Sequence, residues 1–131
     1  MVKDPRLLLG VVDNMLASME QSMSAILTYE RMLRIVPVYN NTFESKFNTF
    51  RLRSLRRNNI SHEIVNTMME LRNILIEHKK SPMEFQRGNR IVICDKDYRL
   101  SIVSIKDLHR HLEKTKELMD NMQTIISKYD K

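Results

Sequence analysis

The chain has 131 residues, two glycines, three prolines, ten methionines and a net charge of +6. That length suits one domain, residues 1–131, which can bury roughly two-thirds of its unfolded surface without a disulfide or structural metal. The single cysteine, Cys94, excludes an intramolecular disulfide and suits a reducing compartment. No CxxC, HExxH or glycine-rich phosphate loop is present, and no apolar run approaches the ~20 residues of a membrane span. The expectation is therefore no metal, no cofactor, no membrane partner and a cytoplasmic location.

The first helix is expected over residues 5–35. Asp4 can cap it and Pro5 fits its first turn. Leu8, Val12, Met15, Met19, Met23, Ile26 and Leu33 recur at spacings compatible with one face, and Pro37 stops the run. The Ser-rich stretch at Ser22 and Ser24 is where a bend or break is expected. After a connection over 36–41, Thr42 caps a second helix with an apolar face of Phe43, Phe47, Phe50 and Leu55. Its other face is basic, with Lys46, Arg51, Arg53, Arg56 and Arg57, and Asn58-Asn59 ends it.

Ser61 caps the third helix, with Glu63 in the first turn, where the helix dipole favours an acid. Ile64, Met68, Leu71 and Leu75 form its buried stripe, and it is expected to end near His78. The period then changes. Arg90 to Cys94 is short and β-branched, Asp95-Lys96-Asp97 is a turn, and residues 98–103 alternate, which reads as a β-hairpin. Ser104 and Asp107 open the last helix. Ile105, Leu108, Leu112, Thr115, Met119, Met122, Ile126 and Tyr129 follow a three-four rhythm along it. Such a seam packs in the bundle core or against a second copy. The predicted fold is all-α: a four-helix bundle with a short β-hairpin inserted before the last helix.

The signatures of most enzymes are missing, and Cys94, in a strand pattern, reads as a small apolar residue. What remains is arginine with histidine. The segment Leu71-Arg72-Asn73-Ile74-Leu75-Ile76-Glu77-His78 places Asn after Arg and His six residues beyond Arg72, with five residues between them. Together with the segment from Tyr98 to Leu108, it resembles the HEPN superfamily (higher eukaryotes and prokaryotes nucleotide-binding domains), small helical domains whose ribonuclease members carry Arg, four to six residues, then His. The likeness covers roughly residues 60–129. The spacing alone is loose: Arg57–His62 and Arg56–His62 also satisfy it. Arg72–His78 is preferred because it ends a buried helix just before the hairpin.

The resemblance implies a HEPN-like bundle and a metal-independent endoribonuclease, acting as a homodimer with both motifs facing a shared cleft. The implied setting is a toxin, with a cognate antitoxin, or an antiviral defence component. His78 would be the base or acid, Arg72 the group that stabilises the phosphate, and Asn73 the positioning residue. Histidine titrates near neutral pH, and arginine stays charged and grips phosphate oxygens in pairs. Six residues apart on one helix, the two side chains point about 120° away from each other, so they converge only if His78 leaves the helix or two subunits pool their motifs.

Plainer readings stand beside this one. His78, Lys79 and Lys80 could complement a helix C-terminus, and Arg72 could pair with Glu70 or Glu77. Arg51, Arg53, Arg56, Arg57, Lys79 and Lys80 are the candidate nucleic-acid contacts, RNA being the partner that a charge of +6 favours. As a solvated face they need no partner. The alternative function is a non-enzymatic helical RNA-binding or assembly subunit of a ribonucleoprotein complex, or a catalytically silent HEPN domain.

Overall fold

The computed structural model describes the backbone of residues 5–80, 83–87, 90–94 and 100–129, and the side chains of residues 9–77 and 106–128. The chain is mostly helical. Helix α1 spans Pro5–Met32. Helix α2, Phe43–Thr49, runs through a π-helical turn, Phe50–Ser54, into the short α3, Leu55–Arg57, so the three form one rod. Helix α4 spans His62–Lys80 and α5 spans Ile105–Tyr129. Among the described residues no helix is long and apolar enough to cross a membrane.

Each rod ends where its local chemistry says it should. The Ile35 N–H bonds the Glu30 carbonyl and the Arg34 N–H the Arg31 carbonyl, with Arg34 at φ 59°. This is a Schellman motif, in which a left-handed residue lets the chain satisfy the last helical carbonyls. It ends α1 three residues short of the expected boundary, before Pro37 can act. The second rod closes the same way. Asn59 takes φ 54°, the Ile60 N–H bonds the Leu55 carbonyl, and both of those side chains are buried. The Thr42 hydroxyl accepts from the Ser45 N–H, and the Ser61 hydroxyl accepts from the Glu63 N–H at 3.2 Å.

The core is one continuous cluster. From α1 it takes Leu9, Val12, Met15, Leu16, Met19, Met23, Ile26 and Leu27. From the second rod it takes Phe47, Phe50 and Leu55; from α4, Ile64, Val65, Met68 and Leu71; from α5, Leu108, Leu118 and Ile125. Helix α1 is the central element, packing most extensively on α5 and then on α4. The break expected at Ser22 and Ser24 does not occur. Ser22 is buried within a continuous helix, and the Ser24 hydroxyl accepts from Lys46 Nζ at 3.4 Å. Leu33, expected on the buried face, lies past the helix end and is exposed.

The seam expected on α5 needs correcting. Its buried stripe is Leu108, His111, Thr115, Leu118 and Ile125, whereas Leu112 and Met119 are 38% and 39% exposed. Leu108 and Thr115 are buried as expected and Met122 packs against the core, but His111, Leu118 and Ile125 take the buried places expected of Leu112, Met119 and Ile126.

Between α4 and α5 the backbone forms strands β1 (Met83–Arg87), β2 (Arg90–Cys94) and β3 (Leu100–Ser104), antiparallel in the order β1-β2-β3. Val92 lies between Phe85 and Ile102 in the register, and β3 leads directly into α5. The turn expected at Asp95-Lys96-Asp97 lies outside the described residues.

Candidate nucleic-acid interface

The second rod and α4 run alongside each other and leave an open groove of about 560 Å³ between them. From the rod, Phe43, Glu44, Phe47, Asn48 and Arg51 line it. These positions repeat every three or four residues and so share a face. From α4 come His62, Val65, Asn66, Met69, Arg72 and Asn73, another helical face. Arg51 and His62 meet at one end, where a second hollow, also lined by Arg56 and Asn59, continues the surface. Arg72 and Asn73 stand at the opposite end, ten residues along α4 from His62 and thus about 15 Å away.

Arg72 is one-third exposed. Its guanidinium carbon lies 4.0 Å from the centre of the Phe43 ring, which itself stacks on Phe47 at 5.2 Å. A cation over an aromatic face is held electrostatically and by packing. Its Nη2 donates to Glu44 Oε1 at 2.8 Å. Neither Glu70 nor Glu77, the partners expected from spacing, takes that place. Glu70 instead faces α5, 3.2 Å from His111 Nε2 and 3.6 Å from Arg110. Because Glu44 is 69% exposed, its pair with Arg72 is worth little in water, and an incoming phosphate can exchange for it. Glu20 on α1 also feels this cation. Burial pushes its carboxyl above the usual range, while the charge of Arg72 pulls it back.

Asn73 is exposed beside Arg72. His78, Lys79 and Lys80 form the last turn of α4, so the helix does not end before His78, and their side chains lie outside the described residues. Positions 72 and 78 on this continuous helix differ by about 120° in direction and about 9 Å in height.

The basic residues of the second rod divide into two groups. Arg51, Arg53 and Arg56 are exposed. Among the described residues Arg51 reaches only Asn48, at 3.4 Å, and Arg53 and Arg56 form no ion pair. Arg57 is committed inward. Its Nη1 donates to Glu30 Oε2 at 2.7 Å and its Nη2 to the Ile35 carbonyl at 2.6 Å. Glu30 has no exposed surface, and Ser54 Oγ and Asn58 Nδ2 also donate to it. The π turn makes this possible. The Leu55 N–H bonds the Phe50 carbonyl five residues back, and the extra residue turns Ser54 inward while Arg51, Leu52 and Arg53 stay out. Arg57 therefore has both terminal nitrogens engaged within the fold.

His111 escaped the sequence reading. It is buried, its Nδ1 has no hydrogen-bond partner among the described residues, and burial pushes its pKa down although Glu70 opposes this. Its only sequence signal is its place three residues after Leu108 and four before Thr115. No group of three or more His, Cys, Asp or Glu side chains suited to a metal ion occurs among the described residues. Comparison with protein-family models, with curated proteins and with solved structures finds no match to this chain.

Proposed function

We propose that this chain acts on RNA as a HEPN-type helical domain, a metal-independent endoribonuclease working as a homodimer in a toxin or antiviral defence setting. The four-helix bundle with a hairpin before its last helix belongs to the same reading. The observation that carries it is the placement of Arg72. Its guanidinium is steadied by Phe43, partly open, beside Asn73, and at one end of a groove whose other end holds Arg51 and His62.

In this reaction a base removes the proton of a ribose 2′-hydroxyl. The 2′-oxygen attacks the adjacent phosphorus, the 5′-oxygen leaves with a proton from a general acid, and the products are a 2′,3′-cyclic phosphate and a 5′-hydroxyl. His78 serves as base or acid, Arg72 neutralises the phosphate oxygens, and Asn73 orients them. The unbroken helix from Arg72 through His78 supports the dimer: within one chain the two positions diverge, and a second copy would supply the complementary motif. Incubation with structured and unstructured RNA in EDTA tests the proposal. His78→Ala is expected to lower turnover by about 10² or more, and turnover unchanged by that substitution removes the nuclease reading.

The commitment of Arg72 to Glu44 and Phe43 favours a second reading. In it the chain is a non-catalytic RNA-binding or assembly subunit, or a silent HEPN domain, and Arg51, Arg53 and Arg56 supply phosphate contacts. That reading predicts salt-dependent RNA binding without turnover.

A further inference from the structure

We infer that the groove between the second rod and α4 is a seat for a short unpaired stretch of RNA, with one base resting on its apolar floor; this rests on the reading of the chain as an RNA-binding protein. The floor is Phe47 and Val65, both buried, and Met69 forms a lip that is 48% exposed. A volume of about 560 Å³ falls within the roughly 300–1,000 Å³ of sites that enclose small planar ligands. The polar groups sit where a strand needs them. Arg51 with His62 marks one end and Arg72 the other, about 15 Å apart along α4. A stacked strand rises about 3.4 Å per nucleotide, so the two cationic ends span about four nucleotides if stacked and fewer if extended.

Asn48 and Asn66 between those ends, and Asn73 beside Arg72, present side-chain amides that donate and accept, the chemistry of a base edge. Glu44 is the one acid among the described lining residues, and it is already paired with Arg72. Phe43 is not the stacking platform, because Phe47 covers one face and Arg72 the other. The geometry excludes a duplex as the occupant. Bases inside an A-form helix keep their faces stacked and their major-groove edges deep, so only a splayed base can reach a floor set between two helices. A duplex can still lie on the flanking arginines.

The test uses the full chain and a fluorescein-labelled 12-nucleotide RNA, 2′-O-methylated so that it cannot be cleaved, as a single strand and as the blunt duplex. The single strand is expected to bind at least about tenfold more tightly. Met69→Glu is expected to weaken single-strand binding about tenfold, the scale of one lost base contact, and to leave duplex binding within about twofold at an unchanged melting temperature. Equal binding of both forms, insensitive to Met69→Glu, overturns the groove assignment and leaves RNA binding standing. Binding of neither form overturns the RNA reading and the inference with it. Loss of a dimer on Met69→Glu, seen by light scattering, assigns the groove to a second copy and likewise overturns the inference.

Discussion

Replacing Arg57 by methionine removes the cation that faces the buried Glu30 while keeping most of the side-chain volume. The two hydrogen bonds lost, at 2.7 Å to Glu30 and 2.6 Å to the Ile35 carbonyl, come from a side chain that is 31% exposed. A fully buried pair broken on one side costs about 3–5 kcal/mol. Water can reach part of Arg57, and Ser54 and Asn58 still donate to the carboxylate. The expected loss is therefore about 2–4 kcal/mol, of which charge-assisted hydrogen bonding supplies about 1.5–3. Urea denaturation followed by circular dichroism measures it. Glu30→Gln and the double variant should give a coupling of about 1 kcal/mol or more, as expected for contacting residues. A cost below about 0.5 kcal/mol with no coupling refutes the reasoning and returns Arg57 to the solvent-facing basic group.

Three further outcomes follow from the same structure. Burial lowers the pKa of His111 below its ordinary value, although Glu70 opposes this, so the unfolded chain binds its proton more readily. Stability should thus be complete above the ordinary histidine pKa of about 6.5 and fall as pH drops below it; denaturation at pH 7.5 and 5.5 should show a smaller loss for His111→Leu than for the unaltered chain. Arg53→Gln with Arg56→Gln should flatten the salt dependence of single-stranded RNA affinity by roughly 0.7 in log–log slope for each phosphate contact removed, whereas Arg57→Gln should leave the slope alone. Phe50→Ala, at a side chain with no exposed surface, should cost about 3–5 kcal/mol, and a loss under about 1.5 in the same urea assay contradicts its place in the core.

The helices were legible because their signals are local. Thr42 and Ser61 cap, Asn59 takes the left-handed turn, and Ile64, Met68 and Leu71 repeat on one face. What escaped depends on residues far apart in sequence. Glu30 reads as a surface acid until Ser54, Arg57 and Asn58, 24 to 28 residues on, close around it. The partner of Arg72 is Glu44, 28 residues back, not a neighbour on its own helix, because its guanidinium lies over the Phe43 ring of the second rod. On α5 the stripe was misplaced because His111 looks polar. Its Nε2 reaches Glu70 and the rest of the ring packs inward, which hydropathy does not register. The groove was half visible: Arg72 and Asn73 stood out by motif and Arg51 by charge, but their meeting with His62 and Met69 requires the packing of two helices.

The most direct measurement of the central claim is the chemistry of RNA ends after incubation with the protein in EDTA. Fragments bearing 2′,3′-cyclic phosphate and 5′-hydroxyl termini, abolished by Arg72→Ala and by His78→Ala at unchanged melting temperature, are the predicted result. Intact RNA, or cleavage that persists in both variants, contradicts it.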